Sequence, residues 1–233
     1  NRKTNKWKRL LTEKNVMSLY EDSHGNIWAG TYSSGVFKLN KQGSIIANYI
    51  KHPNLENSIG TSFVYAICED SEGNIWFGGK RGNTSKLNLA TNSFTHVSAT
   101  QANHIVKKDS KHILVSTEHG VYQISTKDNV TKECTFNKNL KSKYISDMYL
   151  ESDSVIWLAT YGDGLNRCNM LTGGISSFTE KNGLPSDIVY AIEADSDNNL
   201  WFSSENGIGC FNLKSYQVTN FSVVDGISGN RFR

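Results

Sequence analysis

Four tryptophans mark a repeat that runs through the chain. Trp28 closes Glu21-Asp22-Ser23-His24-Gly25-Asn26-Ile27-Trp28, and Trp76 closes Glu69-Asp70-Ser71-Glu72-Gly73-Asn74-Ile75-Trp76; the two octets differ at one position. Trp157 ends Glu151-Ser152-Asp153-Ser154-Val155-Ile156-Trp157, and Trp201 ends Asp195-Ser196-Asp197-Asn198-Asn199-Leu200-Trp201. The four stand 48, 81 and 44 residues apart. The wide gap holds a worn copy, Asp109-Ser110-Lys111-His112-Ile113-Leu114, with Leu114 in the tryptophan slot, dividing 81 into 38 and 43. Five copies, one interval of 38 residues and the others of 43–48, constrain the fold more than any other feature.

Each copy has one inner grammar. An alternating apolar segment such as Val64-Tyr65-Ala66-Ile67-Cys68 comes first, then a turn rich in Asp, Ser, Gly and Asn. The tryptophan run follows, then a Gly-containing turn, a segment such as Gly35-Val36-Phe37-Lys38-Leu39-Asn40, and a last segment ending in an aromatic (Phe94, Phe178, Phe221). Period-2 alternation bounded by turn residues reads as strands, and no stretch sustains a helical period. Four strands in each unit of about 45 residues is the arithmetic of a propeller blade. The expected fold is therefore all-β: a β-propeller of four-stranded antiparallel blades, about five present. The expected repeats are residues 15–58, 59–101, 102–142, 143–186 and 187–229. Residues 1–14, with Trp7 in the terminal-aromatic slot, are expected to be the last strand of a preceding blade. Both prolines, Pro53 and Pro185, fall in linkers between copies.

Composition excludes several classes. No apolar run approaches the roughly 18 residues of a spanning helix, and no apolar segment follows the basic N-terminus as in a signal peptide. Lys+Arg 25 against Asp+Glu 22 leaves a net charge of +3, without the clustered excess of a nucleic-acid domain. The group Arg2, Lys3, Lys6, Lys8 and Arg9 reads as a solvated strand face, so no nucleic-acid contact is expected. Cys68, Cys134, Cys168 and Cys210 form no C-x-x-C pair and are expected to be buried, mostly reduced thiols, with Cys168 in the slot of Leu39.

Successive hairpins point to opposite ends of a blade. The Asp-x-x-Gly-Asn turns therefore share one rim; their uniformity makes Asp22, Gly25, Asp70 and Gly73 structural. One carboxylate per turn and no bidentate Glu further on favour an Asx turn with Gly at positive φ over a calcium loop, so no metal is expected. Trp28, Trp76, Trp157 and Trp201, recurring in one slot, are expected to pack blade against blade. The opposite rim is variable. Its turns hold Tyr32, Lys80, Arg81, Glu118, His119, Tyr161, Asp163, Glu205 and Asn206; its linkers hold His52, Asn57, Ser186, Asp187 and Asn230. Tyr rings stack on sugar faces, and charges and amides bond hydroxyls or acidic substituents. The candidate ligand residues are Tyr32, Lys80, Arg81, His119, Tyr161, Asp163, Glu205 and Asn206. No catalytic or cofactor motif is present: there is no H-E-x-x-H, Walker loop, G-x-G-x-x-G or G-x-S-x-G.

The pattern Asp-x-x-Gly-Asn-Ile-Trp-x-Gly-Thr-x-Gly-Val/Leu-x-Lys/Arg-Leu-Asn resembles the two-component-regulator propeller repeat. Asp22 to Asn40 and Trp157 to Asn169 match it best, and the third copy is weakest. Asn182-Gly183-Leu184-Pro185-Ser186 is similar to the family's inter-repeat linker, and Asp225 to Phe232 to a segment late in its second propeller. The resemblance implies the periplasmic sensor region of a bacterial (Bacteroides-type) hybrid two-component system. It implies a partial propeller from a seven-bladed ring, completed by further blades and a second propeller. It further implies a homodimeric parent anchored in the inner membrane, with its histidine kinase in a domain outside this chain. The implied ligand is an oligosaccharide released from a polysaccharide. Two other readings stand beside it. One is a streptogramin-lyase-like enzyme, for which His119 with Glu118 is the adjacent pair available; the other is a protein-interaction scaffold without a small-molecule ligand.

Overall fold

In the computed structural model, which describes residues 9–97 and 101–231, the chain is all-β. Its strands form five four-stranded antiparallel sheets, each a sequential meander. The chain divides into two compact units, residues 1–101 and 102–233. The first unit holds two blades: β1 (Val16–Glu21), β2 (Ile27–Thr31), β3 (Val36–Leu39) and β4 (Ile45–Tyr49), then β5 (Phe63–Glu69), β6 (Ile75–Lys80), β7 (Thr84–Asn88) and β8 (Ser93–Val97). The second unit holds three. They are β9 (His104–Lys107), β10 (His112–Thr117), β11 (Gly120–Ser125) and β12 (Thr131–Glu133); β13 (Ile145–Ser152), β14 (Val155–Thr160), β15 (Leu165–Asn169) and β16 (Ile175–Phe178); and β17 (Val189–Ala194), β18 (Asn199–Ser204), β19 (Gly207–Asn212) and β20 (Val218–Phe221). Helix is confined, among the described residues, to short 3-10 turns at Thr135–Asn139, Glu180–Asn182 and Val223–Asp225. Trp7, most of the basic N-terminal group and Phe232 lie outside the described residues. Residues 9–14, expected to belong to a strand, form none.

Register explains the repeated slots. Trp28 pairs with Tyr20 and Trp157 with Tyr149, so each tryptophan lies opposite the residue two places before the acid at the end of its blade's first strand. Its indole N–H donates to that acid: Trp28 to Asp22 at 2.8 Å, Trp76 to Asp70 at 2.8 Å, Trp201 to Asp195 at 2.9 Å and Trp157 to Glu151 at 2.6 Å. In the third blade Leu114 pairs with Val106, which confirms Leu114 in the tryptophan slot. The acid slot there, however, is Lys108, not Asp109. The Lys108 N–H donates to the His112 carbonyl as the Asp22 N–H does to Asn26. With no indole to bind, Lys108 reaches instead to Gln123 Oε1 at 2.7 Å.

The tryptophan slot faces the following blade. Trp28 packs on Ile67, Ile75, Phe77 and Leu87 of the second blade. Leu114 packs on Met148, Ile156, Leu158 and Cys168 of the fourth, and Trp157 on Ile192, Leu200, Phe202 and Phe211 of the fifth. The other face of the indole stacks on the terminal aromatic of its own blade, Trp28 on Tyr49 and Trp157 on Phe178. Burial pushes the Cys134 thiol up to about 11 and the Cys168 thiol up to about 12. Trp201 differs: it stacks on Phe221 but is 39% exposed, beside Ala191, Glu193, Ser203 and Ile208 in an open hollow.

The packing predicts an asymmetry. Trp157→Ala should cost about 4 kcal/mol, the range for removing a buried large aromatic. Trp201→Ala should cost about 1 kcal/mol. Urea unfolding of both variants measures this, and equal losses would contradict the assignment of the slot to inter-blade packing.

Candidate functional site

The uniform rim is built from Asx turns. Asp22 Oδ1 accepts the His24 N–H at 3.1 Å and the Asn26 N–H at 2.8 Å, while Oδ2 takes the Asn26 amide and the Trp28 indole. Gly25 completes the turn at φ 76° and Gly73 repeats it at φ 80°. Burial would raise the Asp22 carboxyl, but the hydrogen bonds from Asn26 and Trp28 outweigh it and hold it below its ordinary value. At Asp195 the Asn199 side chain leads the same set of donors and brings the carboxyl to about 2. These acids are occupied as turn acceptors. Among the described residues no group of three or more His, Cys, Asp or Glu gathers as a metal site would require.

The variable rim is more ordered than its sequence suggests. Four of its turns open with a hydroxyl that caps the turn: Thr31 Oγ1 donates to the Gly35 carbonyl, Thr117 to Gly120, Thr160 to Gly164 and Ser204 to Gly207. In the first unit, Tyr32 is 46% exposed and meets Phe63 edge-on, with ring centroids 5.4 Å apart. Arg81 lays its guanidinium over the same Phe63 ring at 4.8 Å. The Lys80 carbonyl accepts a 2.5 Å hydrogen bond from Thr61. Tyr32, Lys80 and Arg81 thus gather around Phe63, which the sequence reading did not single out.

In the second unit, Tyr161 takes the slot of Tyr32. It is 48% exposed and lies 5.4 Å from the ring of Tyr144, which precedes the first strand of the same blade, whereas Phe63 belongs to the blade after that of Tyr32. Asp163 is buried; Ser177 donates to it at 3.2 Å and Lys141 stands 3.8 Å away. Glu205 accepts from the Tyr190 hydroxyl and pairs with Arg231. The Asn206 amide donates to the Pro185 carbonyl at 3.4 Å. His119 and Glu118 are exposed on a tight turn, where the His119 N–H donates to Thr117 Oγ1 at 2.9 Å. The exposed members of the candidate set, Tyr32, Arg81, His119, Tyr161 and Asn206, include no acid, and its acids are engaged within the protein.

A second cluster escaped the sequence reading because it forms between blades. Side chains on the first strands reach the next blade's first strand: the Ser18 hydroxyl to the Val64 carbonyl at 3.3 Å, and the Asn103 amide to the Ile145 carbonyl at 2.8 Å. Two charged groups extend the series. His104 Nδ1 lies 2.6 Å from Asp147 Oδ1, and Asp147 Oδ2 accepts the Ile192 N–H at 2.9 Å. The pair spans all three blades of the unit. Its imidazole keeps 37% of its side-chain surface exposed, although Nδ1 itself is buried. Burial alone would lower the His104 pKa; the hydrogen bond and charge of Asp147, with a contribution from Glu193, outweigh it and leave it above 6.5.

Residues 10–33, 58–81 and 183–206 match the family model described as the two component regulator propeller. Three of its stretches are thus similar to the two-component-regulator propeller repeat. The matches fall on the first, second and fifth copies. The fourth, expected among the best, is not one of them: it has Glu151 for the Asp and lacks the Gly-Asn of the turn. No curated protein matches the chain. Among solved structures, it is similar to the extracellular domain described for the hybrid two component system BT3049 of B. thetaiotaomicron. The identity is 20% and the TM-score 0.75, over 99% of this chain and 32% of that one. It is also similar to the extracellular domain described for the one component system BT4673 of the same organism, at 15% identity and TM-score 0.61, over 98% and 40% of the two chains. A third is PorZ, a surface component of the type-IX secretion system of Porphyromonas gingivalis, at 16% identity and TM-score 0.66, over 93% and 35%. These likenesses show the propeller fold; the chain spans 32–40% of the length of these structures.

The His104–Asp147 pair predicts a pH dependence. A folded-state pKa above the unfolded 6.5 stabilises the protein fully below pH about 6.5, and that contribution is lost as pH rises through the folded value. Urea midpoints should therefore fall between pH 6 and pH 8.5, and Asp147→Asn should flatten that slope. An unchanged slope in the variant would show that His104 does not carry it.

Proposed function

We propose that this chain is the ligand-sensing propeller of an extracytoplasmic, periplasmic sensor, and that its variable rim takes an oligosaccharide derived from a polysaccharide. The observation that carries this is the recurrence of an exposed tyrosine in one rim slot. Tyr32 leans on Phe63 and Tyr161 on Tyr144, each beside polar turn atoms. Flat amphipathic rings on a rigid scaffold suit the apolar faces and hydroxyl edges of sugars. The family repeats and the likeness to extracellular sensor domains support the same reading. No helix of the described residues is long and apolar enough to cross a membrane. A membrane anchor, a histidine kinase, further blades and a dimer partner belong to the proposed parent protein. Ligand binding would act there through differential affinity for two arrangements of the sensor.

A thermal-shift panel of plant, fungal and host-glycan oligosaccharides tests the reading on the 233-residue chain. A binding sugar should raise the melting temperature in proportion to RT ln(1 + [L]/Kd). Tyr161→Ala should weaken that binding about tenfold, from the stacking it removes. Silence across the whole panel would sink the oligosaccharide reading in favour of a protein-binding scaffold.

A further inference from the structure

The second blade's rim turn departs from the other four. Where they place Thr31, Thr117, Thr160 and Ser204 as capping hydroxyls, it has Gly79, whose backbone lies against the Phe63 carbonyl. Its next-but-one residue, Arg81, holds φ 60°, in the slot where the fourth blade has Gly162 at φ 114°. An arginine in the left-handed region is strained, and such strain persists where the surroundings over-determine it. Here they do. Thr61 of the linker binds the Lys80 carbonyl at 2.5 Å. Gly82 lies so close to the linker that a Cβ would stand 2.2 Å from the Gly60 carbonyl oxygen. The turn is thus docked on residues 60–61, and the docking sets the guanidinium carbon over the Phe63 ring, 4.8 Å from its centroid.

The guanidinium is exposed, and among the described residues no carboxylate pairs with it. The acids of the first unit's strands and hairpin turns gather at the Asx-turn end of the blades, where Asp22 and Asp70 serve the turns and Glu69 accepts from Ser23. Phe63 lies against one side of the cation, and a guanidinium has further N–H groups with which to hold a bidentate anion. Tyr32 meets Phe63 at 83° and stays 46% exposed beside the cation.

From this geometry we infer that Arg81, Phe63 and Tyr32 form a subsite for an anionic sugar residue. Arg81 receives a carboxylate or sulfate, and Tyr32 receives the sugar's apolar face. The inference rests on the oligosaccharide reading and narrows it to acidic saccharides. Calorimetric titration of the chain with uronate-bearing, sulfated and neutral oligosaccharides of equal length tests it. An acidic ligand should bind more tightly than its neutral counterpart and weaken as salt rises. Arg81→Gln should lower that affinity by about tenfold or more. Arg81→Gly, which relieves the backbone strain, should keep or raise stability while losing the same affinity, and this separates binding from folding. The uronate and sulfate arms identify which anion is taken. Neutral binding alone, or acidic binding that Arg81→Gln leaves unchanged, overturns the subsite while the oligosaccharide reading stands. Failure of every saccharide overturns both.

Discussion

The hydrogen bond from an indole N–H to a carboxylate six residues earlier is the joint on which each well-formed blade depends. It ties the first hairpin shut, because the acid follows directly on the first strand and the tryptophan lies on the second. It also sets the indole between its own blade and the next. A buried carboxylate is costly unless it is fully hydrogen-bonded. Here two backbone N–H groups, an asparagine amide and the indole satisfy Asp22, and the same set recurs at Asp70. One local constellation therefore solves turn formation, charge burial and inter-blade packing together. Glu151 shows its tolerance: a longer acid reaches Trp157 and also takes both Arg167 contacts, and Arg167 first among its partners lowers its pKa.

That joint made the fold legible in the sequence. All its parts lie within eight residues, so the spacing survives as a visible motif. The third copy shows what is lost without it: with neither tryptophan nor turn glycine the motif thins, and pairing places Lys108 rather than Asp109 in the acid slot. Asp109 is still used, accepting the Lys111 N–H and facing His112, so the local chemistry of the turn persisted after its register marker had gone.

The site was legible only in part, for a physical reason. Turn residues such as Tyr32, Arg81 and Tyr161 announce themselves by position in the repeat. Their partners do not: Phe63 looks like an ordinary strand residue until the second blade's first strand is placed beside the first blade's turn, and Tyr144 until its own blade brings it beside Tyr161. His104 and Asp147 are 43 residues apart and meet because consecutive first strands lie side by side. Nor could the sequence say which rim acids were free. Asp163 and Glu205 carry the right chemistry for sugar hydroxyls, yet Ser177 engages the one, and Tyr190 and Arg231 the other.

A repeat fold divides its labour along the strand. In four blades a one-residue irregularity interrupts the first strand's pairing, between Val16 and Ser18, Val64 and Ala66, Ile145 and Asp147, and Val189 and Ala191. A bulge adds twist and re-aims the residues beyond it. On one side of it the chain runs into the tryptophan joint, where any change disturbs the core. On the other side it runs to the variable rim, where a short hydroxyl cap suffices to close the turn. The rim can therefore change its side chains without loosening the blade. The second blade exchanges the hydroxyl cap for Gly79 and a docked arginine on the turn between β6 and β7, while the joint at Asp70 and Trp76 anchors β6 from its opposite end.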